Sequence, residues 1–131
     1  MITYGVTQYQ QTQVMTASSV QLIVLLYESA MRSLELAREG ILRNNHMDKG
    51  RFLGRAIAIV SELSNTLDME RGGEIAVSLR RLYDYMLGEF TWANLRHDPK
   101  PLEGPLRCLS TLCEAWQTVA REGTSPRAVG S

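Results

Sequence analysis

The chain has 131 residues carrying 14 basic and 14 acidic side chains, so its formal charge is zero and a grip on nucleic acid or anionic lipid by bulk electrostatics is excluded. A domain of this length buries roughly two-thirds of the surface its unfolded chain exposes, which makes a metal or disulfide staple unnecessary. The longest apolar run, Leu22 to Tyr27, is too short to span a bilayer, and the opening MITYGVTQYQQTQ lacks the basic-then-apolar order of a secretory signal; a cytoplasmic protein without stable membrane insertion is expected.

Residues 1–17 read as an N-terminal arm, because they carry no sustained helical stripe. Tyr4, Val6, Tyr9 and Val14 nevertheless punctuate its glutamine and threonine background, more apolar residues than a purely disordered tail would hold, and suggest an arm that lies against an apolar groove. Thr16, Ser18 or Ser19 can cap the first long helix. Its inward positions fall at Ile23, Tyr27, Ala30, Leu34, Ala37 and Ile41, in alternating steps of four and three. Val20, Leu22, Val24, Leu25, Leu26, Met31 and Leu36 lie partly or wholly off that seam, so the first half of the helix is apolar almost all round. Such an excess implies a wide contact with two helices, cover by the arm, or a surface kept for a partner.

The turn from Arg43 to Gly50 offers Asn45, His46 or Asp48 as the cap of a second helix, with inward residues Leu53, Ala56, Val60, Leu63 and Leu67. Gly72 and Gly73 then let the chain turn back into a third helix, expected over about Met69 to Leu95 with Ile75, Leu79, Leu82, Met86 and Phe90 inward. Pro99, Pro101 and Pro105 are tolerable only in or near the first turn of the next helix. That fourth helix carries Leu102, Leu106, Leu109, Cys113, Trp116 and Ala120, and Gly123 closes it. Four helices joined by short polar connections predict an all-α fold, an antiparallel up-down four-helix bundle over residues 18–122, with 123–131 as a disordered tail.

No constellation for chemistry emerges. His46 and His97 read as exposed turn residues without a second ligand at metal spacing, and the paired Glu-x-x-His motifs of a di-iron bundle are absent from the sequence. Asp68, Glu70 and Glu74 sit where carboxylates cap a helix, and Gly72-Gly73 lacks the lysine and the preceding strand of a phosphate loop. Cys108 and Cys113 are five apart on one helix, about 7.5 Å along the axis, too far for an unstrained disulfide; Cys113 is expected buried and Cys108 peripheral. No enzyme, metal or cofactor is expected. Tyr85 and Trp92, seven apart on a face the seam does not use, together form a candidate half of a partner groove.

The stretches Tyr9-Gln10-Gln11-Thr12-Gln13-Val14-Met15-Thr16-Ala17-Ser18, Leu25-Leu26-Tyr27-Glu28-Ser29-Ala30 and Leu67-Asp68 through Gly72-Gly73-Glu74-Ile75-Ala76 into Leu82-Tyr83-Asp84-Tyr85-Met86 resemble, in order, those of the flagellar secretion chaperone family, FliS. The resemblance covers about residues 4 to 121. It implies a cytoplasmic helical bundle that holds the disordered C-terminal segment of flagellin and keeps it from polymerising before type III flagellar secretion, with the N-terminal arm over part of the groove in the free protein. Tyr9, Leu22, Leu25 and Tyr27 are the partner-binding positions it implies first, and other flagellar export or regulatory proteins are further candidate partners. Ser18-Ser19-Val20-Gln21 departs from the acidic first turn usual in the family. The competing reading is a self-associating structural or regulatory bundle without a disordered client; in the free state a monomer or weak homodimer is expected.

Overall fold

The computed structural model describes residues 12–122, with side chains from Ser19 onward. Helices α1 (Thr12–Leu42), α2 (His46–Asn65), α3 (Gly73–Arg96) and α4 (Glu103–Glu122) form a bundle, with a 3-10 turn over Lys100–Leu102 ahead of α4. Among the described residues there is no strand. Helix α1 begins before the caps expected at Thr16, Ser18 or Ser19: Gln13, Met15 and Ala17 are good helix formers and carry the helix back to Thr12. Residues 12–17 of the expected arm therefore continue α1. Tyr4, Val6 and Tyr9, the closing Gly123 and the tail lie outside the described residues, as does the side chain of Val14.

Two helices end on non-glycine residues in the left-handed region. At the end of α1, Asn44 has φ 58°. The Asn45 N–H returns to the Gly40 carbonyl at 2.7 Å and the Asn44 N–H to Ile41 at 3.0 Å, a Schellman closure that asparagine tolerates. Asn45 then caps α2, its side chain accepting from the Asp48 N–H at 3.1 Å, which settles the choice among the three expected caps. At the end of α3, His97 has φ 52°, and the Asp98 N–H reaches the Ala93 carbonyl at 3.1 Å.

Lys49, buried in the first turn of α2, joins these two ends. Its ammonium donates to the Asn94 carbonyl at 3.3 Å and to His97 Nδ1 at 3.0 Å, placing a cation on the negative end of α3. His46 stacks on His97 with ring centroids 4.5 Å apart. His97 is thus half-buried and wedged rather than an exposed turn residue; its burial, then Lys49 and His46, lower its pKa. At the other end of the same helix pair, Arg80 Nη2 donates to the Ser64 carbonyl at 3.3 Å, so α2 and α3 run in opposite directions.

The start of α3 at Gly73, later than Met69, has a local cause. Asp68 Oδ1 accepts from the N–H groups of Glu70 at 3.2 Å and Arg71 at 3.0 Å, holding the chain in a turn until Gly73 re-enters the helix with φ +54°. Cys113 is buried and Cys108 half-buried, as expected.

The seam is observed in one half of the bundle and displaced in the other. Ala30, Leu34, Ala37, Ile41, Leu53, Ala56, Val60, Met86, Phe90, Leu102 and Leu109 are buried at their expected or adjoining turns. On early α3 the buried positions are Ala76 and Tyr83, whereas Ile75 is exposed and Leu79 and Leu82 are half-buried. Helix α3 packs on α2 and α4 packs on α1, while α3 and α4 touch each other sparingly, so the stripe read as core on α3 faces a gap.

The tight passage from α1 into α2 can be tested at glycine. A Cβ on Gly40 would lie 2.9 Å from the Lys49 nitrogen and 3.3 Å from the Asn45 oxygen, both rigid backbone atoms. Gly40→Ala is expected to destabilise by about 1–3 kcal/mol. Gly54→Ala, in the exposed middle of α2 with nothing within 4 Å, is expected to stabilise by about 0.5–1 kcal/mol. Urea denaturation of both variants reads the opposite signs.

Candidate functional site

Tyr27 of α1 and Tyr83 of α3 meet across the bundle, their hydroxyl oxygens 2.6 Å apart. Both rings are buried, 1% and 2% exposed. Trp116 of α4 lines the same space as this pair, and its indole N–H can only donate. On one side of this pair lies the closed core of Leu34, Met86, Phe90, Leu102 and Leu109. On the other side the bundle is open.

The opening is a groove of about 470 Å³. Its walls are Ile23 from α1, Leu63 from the end of α2 and Leu67 just beyond it, Ile75 and Leu79 from α3, and Leu112 and Trp116 from α4; Tyr27 and Tyr83 also line it. Small residues at Gly72, Ala76, Ser78 and Ala115 leave the gap between α3 and α4 unfilled. Asp68 is the charged residue among those that line it. A dry cavity of this size would cost on the order of 11 kcal/mol, as much as a whole domain's stability, so the space calls for water, the chain's own arm or a bound partner to fill it.

The predicted site residues fall in different places. Tyr27 lies in the groove lining, deeply buried. Leu25 is 59% exposed on the outer α1–α4 face, beside Gln21, Val24, Gln117 and Ala120, and Leu22 is half-buried on the same helix. Tyr85 and Trp92 share the face of α3 that meets the proline segment: Tyr85 packs over Gly104, where an added Cβ would strike its hydroxyl, and Trp92 carries the Arg96 guanidinium 4.5 Å above its ring. Trp92 overlooks a charged hollow with Glu89, Asp98 and Lys100, away from the apolar groove. Gly104, which weakens the start of α4 by propensity, is what lets Tyr85 approach it.

Ile75, Leu79, Leu112 and Trp116 escape sequence reasoning as site residues because helical period alone assigns them, or their neighbours, to a seam. The usable signal is the cluster of small residues at Ala76, Ser78 and Ala115, too little volume to close two helices. The groove has no convergence of acid, base and nucleophile, and no group of three or more metal-ligating side chains occurs among the described residues. No described helix is long and apolar enough to cross a membrane.

A family model described as flagellar protein FliS matches residues 2–123. The flagellar secretion chaperone FliS of Salmonella typhimurium is 39% identical over 121 residues, covering 88% of this chain and 90% of the relative. The flagellar secretion chaperone FliSB of Pseudomonas aeruginosa is 36% identical over 117 residues, covering 86% and 93%. The FliS of Vibrio cholerae is 32% identical over 111 residues, covering 85% and 82%.

Burial raises the pKa of both groove tyrosines above the ordinary 10.0, and for Tyr83 the adjacent Tyr27 adds to the rise. The fold thus holds these protons more tightly than the unfolded chain does. The resulting stability is fully present below pH 10 and is lost as pH rises beyond it. Denaturation midpoints are expected to stay level from pH 7 to 9 as far as this pair is concerned and to fall above about pH 10. Tyr83→Phe is expected to cost about 0.5–1.5 kcal/mol at pH 7 and to show a shallower alkaline fall.

Proposed function

The chain belongs to the FliS family of flagellar proteins, and from that premise we propose that it is an export chaperone that holds the disordered C-terminal segment of flagellin and keeps it from polymerising before type III flagellar secretion. The observation that carries this reading is the open half of the bundle, where apolar residues at seam spacing line a groove instead of a core. An apolar stripe on a client helix is the natural filling for a gap between α3 and α4. The client loses conformational entropy on binding, so the groove must supply broad apolar burial rather than a few strong contacts. The work is association in the cytoplasm, with no catalytic step, by a monomer or weak homodimer.

Leu22 and Leu25 on the outer face of α1, and Tyr85 and Trp92 on α3, are further contact points for a client long enough to wrap round the bundle. Other flagellar export or regulatory proteins would compete for the same surfaces. The arm, with Tyr4, Val6, Tyr9 and, within α1, Val14, would cover part of the groove in the free protein. Its reach suffices: residues 1–11 span up to about 36 Å, and Ile23 lies about 16 Å along α1 from Thr12.

Calorimetric titration with a peptide of the flagellin C-terminal segment tests this reading. Leu79→Asp should weaken binding by at least about 2 kcal/mol, roughly thirtyfold, because it removes leucine burial and strands a carboxylate in the interface. Its stability should fall much less than that of Leu34→Asp, whose charge enters the closed core. Leu25→Asp run in parallel locates the client: if it loses binding while Leu79→Asp does not, the client lies on the outer face. Removing residues 1–11 should leave the bundle folded and increase binding of a hydrophobic dye. Absence of peptide binding by the parent protein, with a concentration-dependent increase in size, would return the choice to a self-associating bundle.

A further inference from the structure

The hydroxyls of Tyr27 and Tyr83 do not balance. Two hydroxyls joined by one hydrogen bond use one of their two protons, whichever of them donates. Trp116, which lines the groove with them, could offer an indole N–H donor and no acceptor. One O–H is therefore left over, and no described residue accepts it. Both rings are all but fully buried, and both line the groove, which is therefore the open space next to the pair.

Water in the open groove can accept that proton. A client that fills the groove expels the water, and a purely apolar filling would seal an unmatched O–H under it, at a cost of about tenfold in affinity. Resting on the reading of the groove as the client site, we propose that the client segment presents a hydrogen-bond acceptor oxygen to the Tyr27–Tyr83 pair, interrupting its apolar stripe at that point. The tyrosine pair thereby sets the register of the client in the groove. An apolar stripe can slide by a helical turn at little cost, whereas an acceptor oxygen meets the surplus proton in one position only.

The test uses the full chain, the Tyr27→Phe/Tyr83→Phe double variant and the flagellin C-terminal peptide, together with peptides in which each polar residue flanked by apolar helical positions is replaced by alanine. The double variant should bind the parent peptide about tenfold more weakly. If one replacement weakens the parent protein similarly and leaves the double variant unaffected, the acceptor is that side chain. If the double variant is weaker and no replacement couples to it, the acceptor is a main-chain carbonyl. Equal affinities of the two proteins for every peptide would overturn the proposal and leave the client reading standing, whereas no binding by either protein removes the client reading itself. Should the double variant fail to fold, NMR exchange of the tyrosine hydroxyl protons in the parent protein decides. One hydroxyl should become protected when the peptide binds, and unchanged exchange would overturn the proposal. Protection already present in the free protein, and abolished by removing residues 1–11, would assign the acceptor to the arm and overturn it as well.

Discussion

The hydrogen bond between Tyr27 and Tyr83 is the constraint on which the rest of the molecule depends. It is made across the bundle, between helices that are not packed side by side, and fixes how near α1 and α3 can come. Below it, Leu34, Met86, Phe90 and Leu102 fill the interior to complete burial. Above it, two phenol rings and an indole form the floor of a groove instead of the middle of a core. Replacing the pair by smaller apolar residues would let the helices collapse or the groove deepen. Either change alters the apolar surface that the groove presents.

The closed half is also where the connections are rigid. Asn44 and His97 close two helices in the left-handed region, and Lys49 ties the second of these closures to α2 through Asn94 and His97. Left-handed backbone at non-glycine residues is maintained only where the surroundings over-determine it, and here stacking of His46 on His97 and the buried ammonium do so. In the groove half, α3 and α4 touch each other sparingly. The closed core at one end lets the other expose apolar surface without unfolding the domain.

This partition suits a member of a flagellar secretion chaperone family. A groove completed by its own side chains would have no need of a partner, and a fully open one would aggregate. Between these limits, a gap of about 470 Å³ is walled by residues from all four helices, so no single helix has to carry an isolated apolar patch. The hollow beneath Trp92 differs in kind: Glu89, Arg96, Asp98 and Lys100 make it polar and salt-sensitive, a rim rather than a groove.

Helical period and the punctuation by asparagine, glycine and proline determined the element count, the approximate boundaries and the inward faces of the closed half, because these depend on local geometry repeated every three or four residues. The signature stretches from Tyr9 to Ser18 and from Leu67 to Met86 determined the family, confirmed by the family match over residues 2–123 and by a relative of 39% identity. Only the tertiary structure decided that Ile75, Leu79 and Trp116 line a groove while Met86 and Phe90 lie in a core, since one period produces both and the difference is the distance to the neighbouring helix. It also decided that Tyr27 and Tyr83, 56 residues apart, share a single hydrogen bond. A pairing at that separation has no local trace: helical period puts Tyr27 on the inward seam and Tyr83 only beside one, and the packing of α1 against α2 and α4 fixes that their hydroxyls meet.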